Sequence, residues 1–235
     1  MVAAKASQPV LDGVPIQLDS TAPAWVSRAA EKLVAALAAF GPQGLTVAGR
    51  TAVDAGASTG GFTQVLLHSG ARSVVALDVG HGQLAATVAA DPRVTERSGC
   101  TVRGLRPEDL GGPVDLLVAD LSFISLTLVL ADLTGLVHPG GDLVVLVKPQ
   151  FEVGRTRLGK SGVVRRPADR RHALRAVAAA AAAAGASVRG IRTSPIRGGE
   201  GNTEYLMWLT RADGVGLAWE ALSETIHRLS EGEPT

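Results

Sequence analysis

The chain has 235 residues, enough for one α/β domain with a substantial core. With 46% hydrophobic and 19% charged residues, it is too apolar for a disordered chain and too often interrupted by charge for a membrane protein. Its formal net charge of +1 lacks the basic excess usual in a protein whose main business is holding a large RNA, and a single cysteine excludes an intrachain disulfide.

Residues 1–22 are rich in Ala, Pro and Ser without a sustained period and read as an irregular arm ahead of one domain over 23–235. No charged start with an apolar run and cleavage site precedes Trp25, so the protein is expected in the cytoplasm, away from membranes. From Ala24 to Phe40, the residues Trp25, Val26, Leu33, Leu37 and Phe40 approximate helical spacing, with Ser27 as a candidate cap and Gly41-Pro42 as the stop. Strand and helix patterns then alternate. A strand at Ala52 to Asp54 is followed by a helix from Phe62 to His68, a strand from Ser73 to Asp78 and a helix near Leu84 to Ala90. A strand at Val114 to Asp120 comes next, then a helix around Leu126 to Val137, a turn at Pro139-Gly140-Gly141 and an apolar strand from Leu143 to Val147. This alternation predicts an α/β fold with a mostly parallel central sheet and helices on both faces, and the continuous apolar runs mark its central strands. An alanine-rich helix from about Pro167 to Ala184 leads to strands near Val188 to Thr193 and Glu204 to Thr210, and an amphipathic helix closes the chain.

Between the first strand and the next helix lies the segment TAVDAGASTGG, Thr51 to Gly61. Asp54, Gly56, Gly60 and Gly61 suit a backbone that turns sharply at a strand end and admits an adenosine-bearing ligand where a side chain would block it. About 20 residues further on a second strand closes on Asp78, placed to accept hydrogen bonds from both hydroxyls of a ribose. The spacing fits nicotinamide, flavin or S-adenosylmethionine enzymes. The loop lacks the GxGxxG spacing that packs a pyrophosphate against a helix N-terminus, which favours S-adenosylmethionine, a cofactor with no phosphate to cradle. Four predicted strand ends carry polar groups, Asp54, Asp78, Asp120 and Lys148, at the edge where open parallel sheets bind ligands. Asp120 and Lys148 lie on neighbouring central strands and can form an ion pair beside the cofactor, with Lys148 as a proton acceptor. Phe123, beside Asp120, reads as a core residue rather than a substrate contact. The basic cluster Arg155, Arg157, Lys160, Arg165 and Arg166 is as readily a solvated face as a nucleic-acid contact. Five scattered histidines show no ligand spacing, and no metal site is expected.

The segments WVSRAAEKL (Trp25 to Leu33), DAGASTGGFTQVLL (Asp54 to Leu67), DVGHGQL (Asp78 to Leu84), VDLLVADLSFISL (Val114 to Leu126), LVKPQFEVG (Leu146 to Gly154) and GNTEYLMWL (Gly201 to Leu209) together resemble the TlyA, hemolysin-type branch of the FtsJ-like methyltransferases. The resemblance implies a Rossmann-like methyltransferase fold and S-adenosylmethionine as cofactor. It carries the family's Lys-Asp-Lys-Glu tetrad onto Lys32, Asp120, Lys148 and Glu204. It also implies a cofactor site drawn from Asp54, Gly56, Ser58, Thr59, Gly60, Gly61, Phe62, Asp78, Val79 and Asp120. In this reading Lys148, steered by Asp120 and Glu204, takes or relays the acceptor proton, while Lys32 orients the acceptor and holds its developing charge.

Two departures from the family bear on the acceptor. Relatives that methylate ribosomal RNA on ribose 2′-hydroxyls carry a small RNA-binding domain in front, where this chain has only the arm before Trp25. Many also have an ERTNxR segment where this chain reads SGCTVR at Ser98 to Arg103, a loop expected to shape the acceptor site. With the near-neutral charge, these features predict a small-molecule acceptor in specialised metabolism, such as an indole ring carbon or a hydroxyl. Ribosomal RNA ribose 2′-O-methylation is the alternative. A catalytically silent pore-forming protein is suggested only by the hemolysin label, against which the intact tetrad stands. No feature of the sequence sets an oligomeric state.

Overall fold

The computed structural model describes residues 24–154, 157–158 and 161–232; the arm read over 1–22 lies outside them. In chain order the elements are α1 (Ala29–Phe40), β1 (Thr51–Ala55), α2 (Gly61–His68), β2 (Ser73–Asp78), α3 (Ala86–Ala89), β3 (Val94–Ser98), β4 (Val114–Ala119), α4 (Leu130–Gly135), β5 (Val137–Val147), α5 (Pro149–Glu152), α6 (Pro167–Ala183), β6 (Ser187–Thr193), β7 (Tyr205–Thr210) and α7 (Trp219–Glu231). One seven-stranded sheet runs in the order β3-β2-β1-β4-β5-β7-β6. Strands β3, β2, β1, β4 and β5 pair parallel, and β7 is antiparallel to both β5 and β6. The expected Rossmann-like, mostly parallel sheet is therefore present.

The period-two geometry of strands sorts the apolar residues of β4, β5 and β7 onto two faces. Leu117, Val145, Val147, Met207 and Leu209 pack with Leu174, Val177 and Ala181 of α6 and with Leu222, Ile226 and Leu229 of α7. Leu116, Val118, Val144, Leu146 and Trp208 pack with Leu33, Ala36 and Phe40 of α1 and with Phe62, Val65 and Leu66 of α2. Both faces are covered, which explains why these strands read as unbroken apolar runs.

Four details differ from the sequence reading. Helix α1 starts at Ala29 with Arg28 at its N-cap, and Ser27 makes no side-chain cap. Strand β3, VTERS, escapes hydropathy patterning because it is an edge strand with mostly exposed side chains. The helix expected to reach Val137 ends at Gly135, and the predicted turn at Pro139-Gly140-Gly141 is absorbed into β5 as an irregularity in its pairing with β4. The one-turn helix α5 is too short to leave a periodic signal.

At the amino end of the sheet, buried Asp142 accepts from Arg50 Nη1 at 2.6 Å and from Trp208 Nε1 at 2.8 Å. The Arg189 guanidinium lies 4.2 Å from the Trp208 ring centroid. Asp142→Ala would leave the indole N–H buried without a partner and Arg50 without its carboxylate. We expect a loss of about 3 kcal/mol in urea unfolding with unchanged m value; a loss below about 1 kcal/mol would show that solvent replaces both contacts.

Candidate active site

The parallel strands bring their carboxyl ends to one edge. Gly56 follows β1, Asp78 ends β2, Asp120 follows β4 and Lys148 follows β5. Because β7 runs antiparallel, its amino end reaches the same edge. Val147 pairs with Tyr205, so Lys148 and Glu204 leave the sheet side by side. Lys32 comes from within α1, which covers that end of the sheet.

These positions unite the four tetrad residues. Asp120 bridges the two lysines, with Lys148 Nζ 2.7 Å from Oδ1 and Lys32 Nζ 3.2 Å from Oδ2. Lys32 also pairs with Glu204 Oε2 at 2.8 Å. Lys148 Nζ donates in addition to Ser122 Oγ at 2.7 Å. Lys32, Lys148 and Glu204 are all buried, and two cations balance two carboxylates, so the cluster carries no net charge. The contacts correct one expectation: Glu204 steers Lys32, while Lys148 is steered by Asp120 and Ser122.

Two neighbouring cavities open beside this cluster. The larger, about 430 Å³, is lined by Asp78, Val79, Val102, Leu121 and Ile124 among others. The smaller, about 240 Å³, is lined by Ala57, Thr59, Phe62 and Lys148. Gly56, Ser58, Asp120 and Ser122 border both. At Gly56, φ is +80°, and a Cβ would stand 2.9 Å from the Asp120 carbonyl oxygen, so the strand ends can approach only around glycine. The Asp78 carboxylate accepts from Ser58 N at 2.8 Å and Gly80 N at 2.7 Å, drawing the loops after β1 and β2 together.

An acidic acceptor at the mouth of an apolar slot fits a ribose and its purine. A second cavity at the lysine, of mixed lining, fits the reacting end of a sulfonium cofactor and its acceptor. Of the residues read as cofactor-binding, Gly56, Ser58, Thr59, Phe62, Asp78, Val79 and Asp120 line these cavities. Gly60 and Gly61 line neither; they let the turn pack against Leu84 and Val88 and against the start of α1.

Asp54 also lies behind the cavities, fully buried. Its Oδ2 accepts from Thr63 Oγ1 at 2.7 Å, and Oδ1 has no hydrogen-bond partner among the described residues. Burial pushes its carboxyl from 3.8 up to about 7, against the Thr63 hydrogen bonds and with added repulsion from Asp120 and Asp78. A folded-state value above the unfolded one means the native protein binds the extra proton. The resulting stabilisation is full below pH of about 4 and lost as pH rises through about 7. The stability difference between Asp54→Asn and the parent chain, from urea unfolding at pH 5 and pH 8, should therefore move in favour of the variant at the higher pH; a pH-independent difference would remove this assignment.

Several bordering residues escaped the sequence reading. Ser122 was visible only as part of the DLSF segment. The loop 98–103, expected at the acceptor, contributes Cys100, Thr101 and Val102 to the larger cavity, which Asp78 also lines. Phe123 is not a core residue: it is 92% exposed, has φ +64° and packs against Phe151 at 5.6 Å between ring centroids. In the basic loop, Arg155 and Lys160 lie outside the described residues, and Arg157 and Arg166 lean towards Asp169 at 3.7 and 4.0 Å. No helix among the described residues is long and apolar enough to cross a membrane.

The sheet order, the glycine turn facing an acidic strand end and the lysine-carboxylate cluster define an S-adenosylmethionine-dependent methyltransferase of Rossmann-like fold. Residues 25–211 match the FtsJ-like methyltransferases, and the chain belongs to that family, in its TlyA branch. It is 51% identical over 210 residues to the 16S/23S rRNA (cytidine-2′-O)-methyltransferase TlyA of Mycobacterium tuberculosis, a match covering 89% of this chain and 77% of that protein. It is 32% identical to the 23S rRNA (cytidine-2′-O)-methyltransferase TlyA of Campylobacter jejuni, over 82% of this chain and 74% of that one. A solved structure from Streptococcus thermophilus, 40% identical, superposes with a TM-score of 0.82 over 89% of this chain and 75% of that one.

These relatives overturn the expectation of a small-molecule acceptor in specialised metabolism, since the two enzymes just named are ribosomal RNA ribose methyltransferases. The site offers a physical reason for the error. The altered loop 98–103 borders the Asp78 cavity, and the net charge is a sum over the whole chain that leaves the acceptor side undescribed.

Proposed function

We propose that this chain transfers a methyl group from S-adenosylmethionine to a cytidine ribose 2′-hydroxyl of ribosomal RNA, with residues 23–235 as the methyltransferase domain. The observation that carries this reading is the cluster of Lys32, Asp120, Lys148 and Glu204, of which Asp120 lines two neighbouring cavities and Lys148 the smaller of them, in a chain half identical to an enzyme of that activity.

When bound, the cofactor supplies an electrophilic methyl group on a sulfonium. Gly56, Ser58, Asp78 and Val79 line the cavity that would hold it, and its methyl would pass to the ribose oxygen with the S–CH3 electron pair returning to sulfur. Lys148, which borders the smaller cavity, relays the hydroxyl proton: it takes that proton as it hands one of its own to Asp120 Oδ1, 2.7 Å away, while Ser122 Oγ holds its Nζ in place. Lys32, locked between Asp120 and Glu204, fixes Asp120 and lends positive charge near the developing alkoxide. Phe123, 92% exposed and lining the larger cavity, offers an aromatic ring suited to an unstacked base.

The test is methyl transfer from labelled S-adenosylmethionine to unmodified ribosomal subunits, followed by nuclease digestion. Recovery of label as 2′-O-methylcytidine is expected, with subunit binding that weakens steeply as salt rises. Subunits that take up no label, even at low salt, would overturn the reading.

A further inference from the structure

We infer that Glu152 is a positioning residue for the acceptor, its carboxylate holding the segment 122–127, and Phe123 with it, against the active site. This rests on the ribose reading above. Glu152 is the last residue of α5, which starts directly after Lys148. Its Oε2 accepts from Ser125 Oγ at 2.5 Å and its Oε1 from the backbone N–H of Leu126 at 2.8 Å. The same short stretch bears on this segment at two further points: Lys148 Nζ donates to Ser122 Oγ at 2.7 Å, and the Phe151 ring packs on Phe123.

Phe123 needs such support. A non-glycine residue at φ +64° is strained and persists only where its surroundings over-determine it. A ring 92% exposed gains little from burial in return. Ser125 already accepts from Thr127 N and so caps the following turn by itself. The additional carboxylate, whose partial burial raises its pKa, acts on the position of the whole segment. Both carboxylate contacts lie on the chain just after Phe123, and the lysine contact just before it, so the strained residue is held from both sides.

The experiment compares Glu152→Ala with Glu152→Gln, whose amide can still accept from Leu126 N and bond to Ser125. Hydrogen exchange at the Leu126 amide should quicken about tenfold in the alanine variant and stay slow in the glutamine variant, as expected for one lost hydrogen bond. KM for ribosomal subunits should rise about tenfold in the alanine variant only, with S-adenosylmethionine affinity and Tm close to those of the parent. Unchanged exchange, or faster exchange with an unchanged KM, would overturn the inference. So would a fall in cofactor affinity and Tm that tracks the loss of activity, which marks a merely structural residue. If the parent chain itself methylates no subunits, the ribose reading is what fails, and the exchange comparison still decides whether Glu152 holds the segment.

Discussion

Replacing Lys148 by alanine should lower methyl transfer about a thousandfold, within the range for losing a positioned proton-transfer group, while S-adenosylmethionine affinity stays within about threefold of the parent. The arrangement of charges makes this the informative tetrad substitution. Asp120 keeps its second partner, since Lys32 remains at 3.2 Å, and the Ser122 oxygen, which accepts from Lys148, can accept from water instead. The fold should therefore survive. Lys32→Ala would instead strand Glu204, which is 2% exposed and whose one ion-pair partner among the described residues is Lys32. Removing one member of a buried pair costs about 3–5 kcal/mol, so loss of activity there would mix chemistry with unfolding. Single-turnover transfer to subunits, alongside calorimetric titration of the cofactor, separates the effects for Lys148. Near-parental turnover in Lys148→Ala would remove it from the proton path and shift attention to Asp120 itself.

The legible parts of the fold were those whose signal is local. Strands β1, β2, β4 and β5 are apolar runs that stop at a polar or glycine residue, and in a parallel sheet those stops are brought together by topology alone. Asp78, Asp120 and Lys148 could thus be assigned to one edge before any contact was known. Glu204 and Lys32 could not be placed in this way. One reaches the edge through the reversed direction of β7 and the other from a covering helix, so both came only through resemblance to a family. Phe123 was misread because a phenylalanine within LSFISL has the hydropathy of a core residue. It is instead exposed with a left-handed backbone, in a segment contacted by α5, which lies some 25 residues away in sequence. Gly60 and Gly61 share the composition of a cofactor loop yet serve packing, a distinction that depends on which neighbours the turn meets.

Asp78→Ala should weaken S-adenosylmethionine binding about a hundredfold, with KM for the cofactor rising in step and Tm falling by only a few degrees. Sequence spacing alone suggested a carboxylate that accepts ribose hydroxyls. In the structure both its oxygens already accept backbone N–H groups, Ser58 at 2.8 Å and Gly80 at 2.7 Å, so in the proposed site each would serve a loop as well as a ligand. A carboxylate oxygen has lone pairs enough for two donors, and the two roles are compatible. Removing the side chain therefore costs twice: the ribose loses a charged acceptor, and the loops after β1 and β2 lose the group that joins them. Hydrogen bonds to charged groups contribute about 1.5–3 kcal/mol, which is the size of a ten- to hundredfold loss, and relaxation of Ser58 should bring the result to the upper end. Asp78→Asn distinguishes the two contributions. Its single carbonyl oxygen can keep one N–H bond, but its amide nitrogen turns a donor towards the other N–H, so it should fall between alanine and the parent. Cofactor affinity unaffected by either substitution would mean that the ribose lies elsewhere in the 430 Å³ cavity and that Asp78 serves only to join the two loops.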